Sequence, residues 1–321
     1  MYQNNSSVAA YLERVTRSFN DVVAISDISF SINTGSITGF LGPNGSGKTT
    51  SIKMLLGLIR PNHGQVRLFE RDPFFDHEIK DIIGYVPEKE AFPKWITALD
   101  FITSLGRINL PREQAKKRAR IVLEEVNLLD VSNKKIKEFS KGMKQRMKIA
   151  QALVHIPTLI IADEPFNGLD PIIRKDTFDL FKSYNEQYGS TFFISSHILF
   201  EVERLANQIV LLYKGRTIAQ GSPIKIRELL QDLPHSIQII TRDAKKIAEL
   251  TLQNGNKHLI ESLEFGKDHI SNLDQVIINT KHPRDFYHLL TDLVCDYELN
   301  IFDLRSTDEG LENLFKILTI E

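Results

Sequence analysis

Cysteine is almost absent from this chain of 321 residues: Cys295 stands alone, which excludes an intrachain disulfide and suits a reducing compartment. Its apolar, helix-patterned surroundings mark it as a core filler. Long apolar runs are missing too. None approaches the ~18 residues of a membrane helix; stretches such as Ile209-Val210-Leu211-Leu212-Tyr213 have the length of buried strands. The first residues, Met1 to Ser7, are polar and lack the basic and apolar regions of a secretory leader. Net charge is also small, at −1, but unevenly spread. Residues 222–321 carry 11 Lys and Arg against 17 Asp and Glu, a net of −6 that leaves +5 for residues 1–221. An acidic C-terminal part argues against gripping nucleic acid there. Any action at a membrane has to pass through a partner.

What is present is a phosphate loop. Gly42-Pro43-Asn44-Gly45-Ser46-Gly47-Lys48-Thr49 fits G-x-x-x-x-G-K-[ST] at every fixed position, and Thr50 continues it. Ile37 to Leu41 reads as a buried strand before it, and Ser51 to Leu56 as a helix ending near Gly57. Glycines let successive N–H groups turn inward toward phosphate oxygens, above the positive end of the helix dipole. In this pattern Lys48 reaches the β- and γ-phosphates and the Thr49 hydroxyl ligates Mg²⁺. The expectation is a nucleoside triphosphate site.

The flanking chain predicts an α/β fold. Residues 8–42 are β-rich, with Ile28, Phe30 and Ile32 alternating with serines. Further strands are expected at 65–69 and 82–86, then helices from Ala98 to about Ile156, broken at Pro111 and Ser132-Asn133. Leu159–Ala162 and Thr191–Ser195 are apolar without alternation, as strands covered on both faces are. Ligands sit beyond the carboxyl ends of such strands, where the phosphate loop, Asp163 and His197 all fall. After Gly221-Ser222-Pro223 a small α+β domain is expected. Its strands lie near 237–240, 276–279 and 301–304, with helical stripes at Phe286, Leu289, Leu290, Leu293 and at Leu311, Leu314, Phe315, Leu318.

Two more segments carry chemistry. Ile160-Ile161-Ala162-Asp163-Glu164 is an apolar strand ending in two carboxylates. Asp163 is suited to hold Mg²⁺ through its water shell, and Glu164 to accept a proton from an attacking water. Ser140, before Lys141-Gly142-Met143-Lys144-Gln145-Arg146, is a natural N-cap, and a capped helix start beside Gly142 is an anion site.

With these segments in this order, residues 8–221 resemble the ATP-binding subunits of ABC transporters. Phe139-Ser140-Lys141-Gly142-Met143 is similar to their signature motif. The resemblance implies the ABC type of P-loop NTPase fold: a RecA-like core, an antiparallel β subdomain and a helical subdomain over about 89–156. It implies ATP as the nucleotide, with Phe19 stacking on adenine, Glu88 in the place of the Q-loop glutamine, Gly168-Leu169-Asp170 as the D-loop and His197 as the switch histidine. Ser140 and Gly142 then face ATP bound to an opposing subunit. Two departures stand out: Glu88 brings a charge near Mg²⁺ and is a possible further ligand, and Lys141 replaces the first signature glycine. Both resemble the branch of single-cassette exporter ATPases for antibiotics or sodium, whose C-terminal extension ends in a pattern like Leu311-Glu312-Asn313-Leu314-Phe315.

The function implied is ATP hydrolysis at Lys48, Glu164 and His197, driving a head-to-tail homodimer that powers a separately encoded membrane permease. The place of action is the cytoplasmic face of the membrane, with no nucleic-acid partner expected. One alternative is a soluble ABC ATPase of nucleic acid or the ribosome, a class that usually shows paired cassettes, a coiled-coil insertion or a basic linker. Another is a degenerate cassette that senses ATP, a reading that intact Glu164 and His197 oppose.

Overall fold

The computed structural model describes residues 7–226, 235–252, 256–268 and 273–306. The chain divides into two compact units, Met1–Pro223 and Ile224–Glu321.

In the first unit, β1 (Val8–Phe19) and β2 (Val22–Asn33) form an antiparallel hairpin. β3 (Ile37–Leu41) is wholly buried and leads through the phosphate loop into α1 (Lys48–Leu55). β4 (His63–Leu68) returns to pair with β1, giving the three-stranded order β2-β1-β4. β5 (Ile83–Val86) precedes the helical part, α2 (Ala98–Asn109), α3 (Arg112–Glu125) and α4 (Lys141–Leu153). Pro111 stands at the N-cap of α3, where its missing N–H costs nothing.

β6 (Leu159–Asp163) then runs to α5 (Pro171–Tyr188), which Asp170 starts by accepting from the N–H groups of Ile172 (3.1 Å) and Ile173 (2.9 Å). β7 (Thr191–Ser196), α6 (Leu199–Glu203), β8 (Gln208–Tyr213) and β9 (Arg216–Gly221) complete a six-stranded sheet of order β5-β6-β7-β3-β8-β9. Its pairs are parallel except β8 with β9. Phe30 of β2, Phe40 of β3 and Phe193 of β7 pack with ring centroids 5.0–5.7 Å apart, joining the two sheets in one core.

The second unit is an antiparallel sheet of order β11-β12-β10-β13, from β10 (His235–Thr241), β11 (Ser262–Lys267), β12 (Asp274–Thr280) and β13 (Ile301–Ser306). Ile237, Ile239, Val276 and Ile278 pack on the helices Ala244–Leu252 and Pro283–Tyr297. The three expected strands are there, while β11 and the helix Ala244–Leu252 were not foreseen. The stripe from Leu311 to Leu318 and the Leu311–Phe315 pattern lie outside the described residues. Cys295 is exposed, which corrects its reading as a core filler. Its helix buries Phe286, Leu290 and Leu293, and a residue two positions past Leu293 lies about 200° round the axis, on the opposite face.

Candidate active site

Strand register assembles the site. Leu41 of β3 lies beside Ser196 of β7, and Asp163 of β6 beside Ser195, so three strand ends meet at one edge of the sheet. Gly47 caps α1 with φ 107°, a left-handed conformation open to glycine. A Cβ there would come within 2.4 Å of Ile25 Cδ1 and 2.9 Å of the Ala24 carbonyl, so the loop presses against β2. The first N–H groups of α1 have no partner within the helix and are free to meet an anion.

Lys48 is buried. Its ammonium donates to the carbonyls of Gly42 (2.6 Å) and Pro43 (3.2 Å) and lies 3.4 Å from Glu164 Oε1. Ser46 Oγ is buried with no hydrogen-bond partner among the described residues.

Asp163 takes one hydrogen bond at each oxygen, from Thr49 Oγ1 to Oδ2 (3.1 Å) and from Ser195 Oγ to Oδ1 (2.6 Å). Burial pushes its pKa up; the Ser195 and Thr49 bonds pull it back, and Glu88 and Glu164 add to the rise. Tyr85 is pushed up to about 12, by burial first and then by Asp163 and Glu88. Ser195 Oγ also accepts from the Glu164 N–H at 2.9 Å, so one hydroxyl fixes both acids. Glu164 has φ 48°, a sparsely populated conformation for a residue with a side chain and one that clusters at functional sites. Its Oε2 lies 2.9 Å from His197 Nδ1. A carboxylate has no hydrogen to give, so Nδ1 is the donor.

A cleft of about 380 Å³ lies over the loop, lined by Asn44, Gly45, Gly47, Lys48, Thr49 and Thr50 and closed by Glu88, Glu164, Pro43 and Ala24. Phe19, Ser140 and Gly142 do not line it. Phe19 is exposed at the end of β1 with the Arg17 guanidinium 4.6 Å above its ring. Ser140 caps α4, its Oγ accepting from the Met143 N–H at 3.2 Å.

Three positions near the acids escaped the sequence reading. Ser195 binds both carboxylate residues, as above. Gln145 of α4 donates to the Pro165 carbonyl, and Lys148, one turn from Lys144, donates to the carbonyls of Pro87 (2.9 Å) and Glu88 (2.7 Å). Burial lowers the Lys148 pKa against the pull of Glu90, Glu88 and Asp163. The one local signal available for Lys148 was a lysine set among the apolar residues Met147, Ile149 and Ala150 of α4.

Comparison with known proteins fits this geometry. The family profile described as ABC transporter matches residues 25–167. The bacitracin transport ATP-binding protein BcrA of Bacillus licheniformis is 32% identical over 308 residues, covering 94% of each chain. The chain belongs to the ABC transporter ATP-binding proteins. It is an ATP-binding transporter subunit and an ATPase of that family. The linearmycin resistance ATP-binding protein LnrL of Bacillus subtilis is also 32% identical, over 96% of this chain and 97% of its own. Among solved structures, a dimeric ATP-binding cassette in a post-hydrolysis state with ADP and Pi superposes with a TM-score of 0.61 at 26% identity, covering 67% of this chain and 98% of that one. ABC ATP-binding subunits work with membrane permease partners. No helix among the described residues of this cassette is long and apolar enough to cross a membrane.

Proposed function

We propose that this cassette is the motor of an exporter of antibiotic-like compounds: two copies close head to tail on ATP at the cytoplasmic face of the membrane and drive a separate permease. Relatives named for bacitracin transport and linearmycin resistance, aligned over more than nine-tenths of the chain, support the exporter branch. The observation that carries the chemistry is the Glu164 carboxylate, held between Lys48 and His197 at the edge of the cleft.

In this reading the loop N–H groups from Asn44 to Thr50 and the Lys48 ammonium bind the phosphates. Phe19 meets the adenine, and Glu164, oriented by His197, accepts the proton of the attacking water. Ser140 and Gly142, outside the cleft of their own chain, serve the nucleotide of the partner copy. Residues 1–221 form the ATP-binding domain and 222–321 an accessory domain that supports the dimer.

The donor set fits Mg²⁺. Among the described residues no three His, Cys, Asp or Glu side chains are grouped so as to hold a metal by themselves, and the candidates beside the loop are the Thr49 hydroxyl, Asp163 and Glu88. Few oxygen ligands suit an ion that keeps several waters, and a zinc-like set is lacking there. Bound there, Mg²⁺ would neutralise phosphate charge. The partnerless Ser46 Oγ offers the phosphate side one further donor.

Glu164→Gln tests the reading. We expect ATP-dependent dimers on size-exclusion chromatography and phosphate release lowered by about 10²–10³. A variant that hydrolyses at the wild-type rate would overturn the role of Glu164. Isolation from mildly solubilised membranes without a multi-spanning protein would overturn the motor assignment.

A further inference from the structure

The end of the Lys148 side chain has work that packing does not require. Lys148 is 4% exposed, and an apolar chain of the same length would fill its place in α4. Burying an ammonium is costly unless it is hydrogen-bonded, and here two of its three donors go to consecutive main-chain carbonyls, Pro87 at 2.9 Å and Glu88 at 2.7 Å. Those carbonyls belong to the short segment that leaves β5 at Val86 and carries Glu88 to the cleft. Four residues earlier on the same helix face, Lys144 Nζ lies 2.9 Å from Glu90 Oε1. From the same helix Gln145 holds the Pro165 carbonyl, just past Glu164. One helix therefore grips the segments on both sides of the cleft, and a buried lysine makes the grip on residues 87–88.

We infer that Lys148 is a positioning residue that hangs the segment 87–90 on α4 and so sets the place of Glu88 in the cleft. The consequence for nucleotide and metal rests on the proposed placing of Glu88 beside Mg²⁺; the clamp itself does not. The chain beyond Pro87 depends on it because proline contributes no N–H to a ladder of its own.

Limited trypsin proteolysis of the full chain without nucleotide reads the clamp, because Lys89 lies exposed in the clamped segment. In Lys148→Met we expect cleavage after Lys89 to run about tenfold faster, with cleavage elsewhere unchanged. Lys148→Gln keeps a donor but cannot span both carbonyls, so an intermediate rate is expected, and it stands in if the Met variant does not fold. Wild-type cleavage in a folded variant overturns the clamp. Binding of a fluorescent ATP analogue titrated with Mg²⁺ reads the consequence. Lys148→Met and Glu88→Gln should each raise the half-saturating Mg²⁺ by about fivefold, and the double variant no further, because both act through one group. A shift in Glu88→Gln with none in Lys148→Met overturns the positioning role. Faster cleavage with no Mg²⁺ shift in either variant leaves the clamp standing and overturns the placing of Glu88.

Discussion

His197 Nδ1 lies 2.9 Å from Glu164 Oε2, while the other oxygen of that carboxylate lies 3.4 Å from the Lys48 ammonium. The carboxylate is thus held by two cationic or donor groups from different strand ends, and its orientation does not depend on its own torsions alone. His197→Ala removes one restraint without touching the phosphate loop. We expect turnover to fall by about 10²-fold with the KM for ATP changed less than about threefold, a split that marks loss at the transition state. Steady-state phosphate release over a range of ATP concentrations checks it. An equal rise in KM would place His197 in ground-state binding instead.

Asp163 gives a pH prediction. Burial raises its pKa above the ordinary 3.8, so the folded chain keeps this proton where the unfolded chain has lost it. Stability therefore falls as pH rises from the ordinary value through the folded one, and above that range the burial of this carboxyl is a net cost to the metal-free protein. Asp163→Asn still accepts from Ser195 and can donate to Thr49 once that hydroxyl turns. In chelator at pH 7 its melting temperature should exceed wild type by about 2–4 °C, the size of a 1 kcal/mol gain in a domain of this length. The gap should close as pH falls toward 4. A lower melting temperature at pH 7 would mean that the carboxylate is held by more than these two bonds.

Gly142 separates fold from assembly. It is the second residue of α4, and among the described residues an added Cβ would meet only Ile173 Cδ1, at 3.4 Å. Nothing among the described residues of its own chain requires glycine there, and Gly142→Ala should stabilise the helix by about 0.5 kcal/mol or leave it unchanged. If Gly142 serves the partner's nucleotide, the methyl group intrudes on that contact and turnover falls by about 10-fold or more. Melting curves and ATPase rates on one preparation decide; full turnover would remove Gly142 from the composite site.

The parts of the site that were legible are those written in local spacing. The phosphate loop has fixed glycine, lysine and threonine positions, and Asp163-Glu164 ends a strand whose unbroken apolarity shows that both faces are covered. Ser195 and Lys148 were not legible because their roles are tertiary: one depends on the β6–β7 register, the other on α4 reaching a segment 60 residues away. β11 was missed because it is an edge strand whose Leu263 and Phe265 are too few to outline an alternation. Cys295 was misread because apolar neighbours in sequence are not neighbours on a helix face.

The last prediction concerns how the Asp170 segment is tied to His197. Arg174 of α5 places Nη1 3.0 Å from Glu201 Oε1 and donates from Nη2 to the Leu169 carbonyl at 3.3 Å. Glu201, buried on α6, also accepts from Ser196 Oγ at 2.9 Å, beside His197. Burial raises the Glu201 pKa, opposed by the Ser196 bond and by Arg174. Breaking a buried ion pair from one side costs about 3–5 kcal/mol, because the remaining charge is stranded. Arg174 keeps a third of its side chain in solvent, so Arg174→Met should cost less, about 2 kcal/mol. Glu201→Gln keeps the Ser196 bond and leaves the charge of Arg174 in reach of water, so it should cost about 1 kcal/mol. Adding Glu201→Gln to Arg174→Met removes the stranded carboxylate and should recover stability rather than lose more. Urea unfolding of the four proteins measures the coupling. Additive losses would show that the two side chains pack independently, and that the link from Leu169 to His197 runs through the backbone alone.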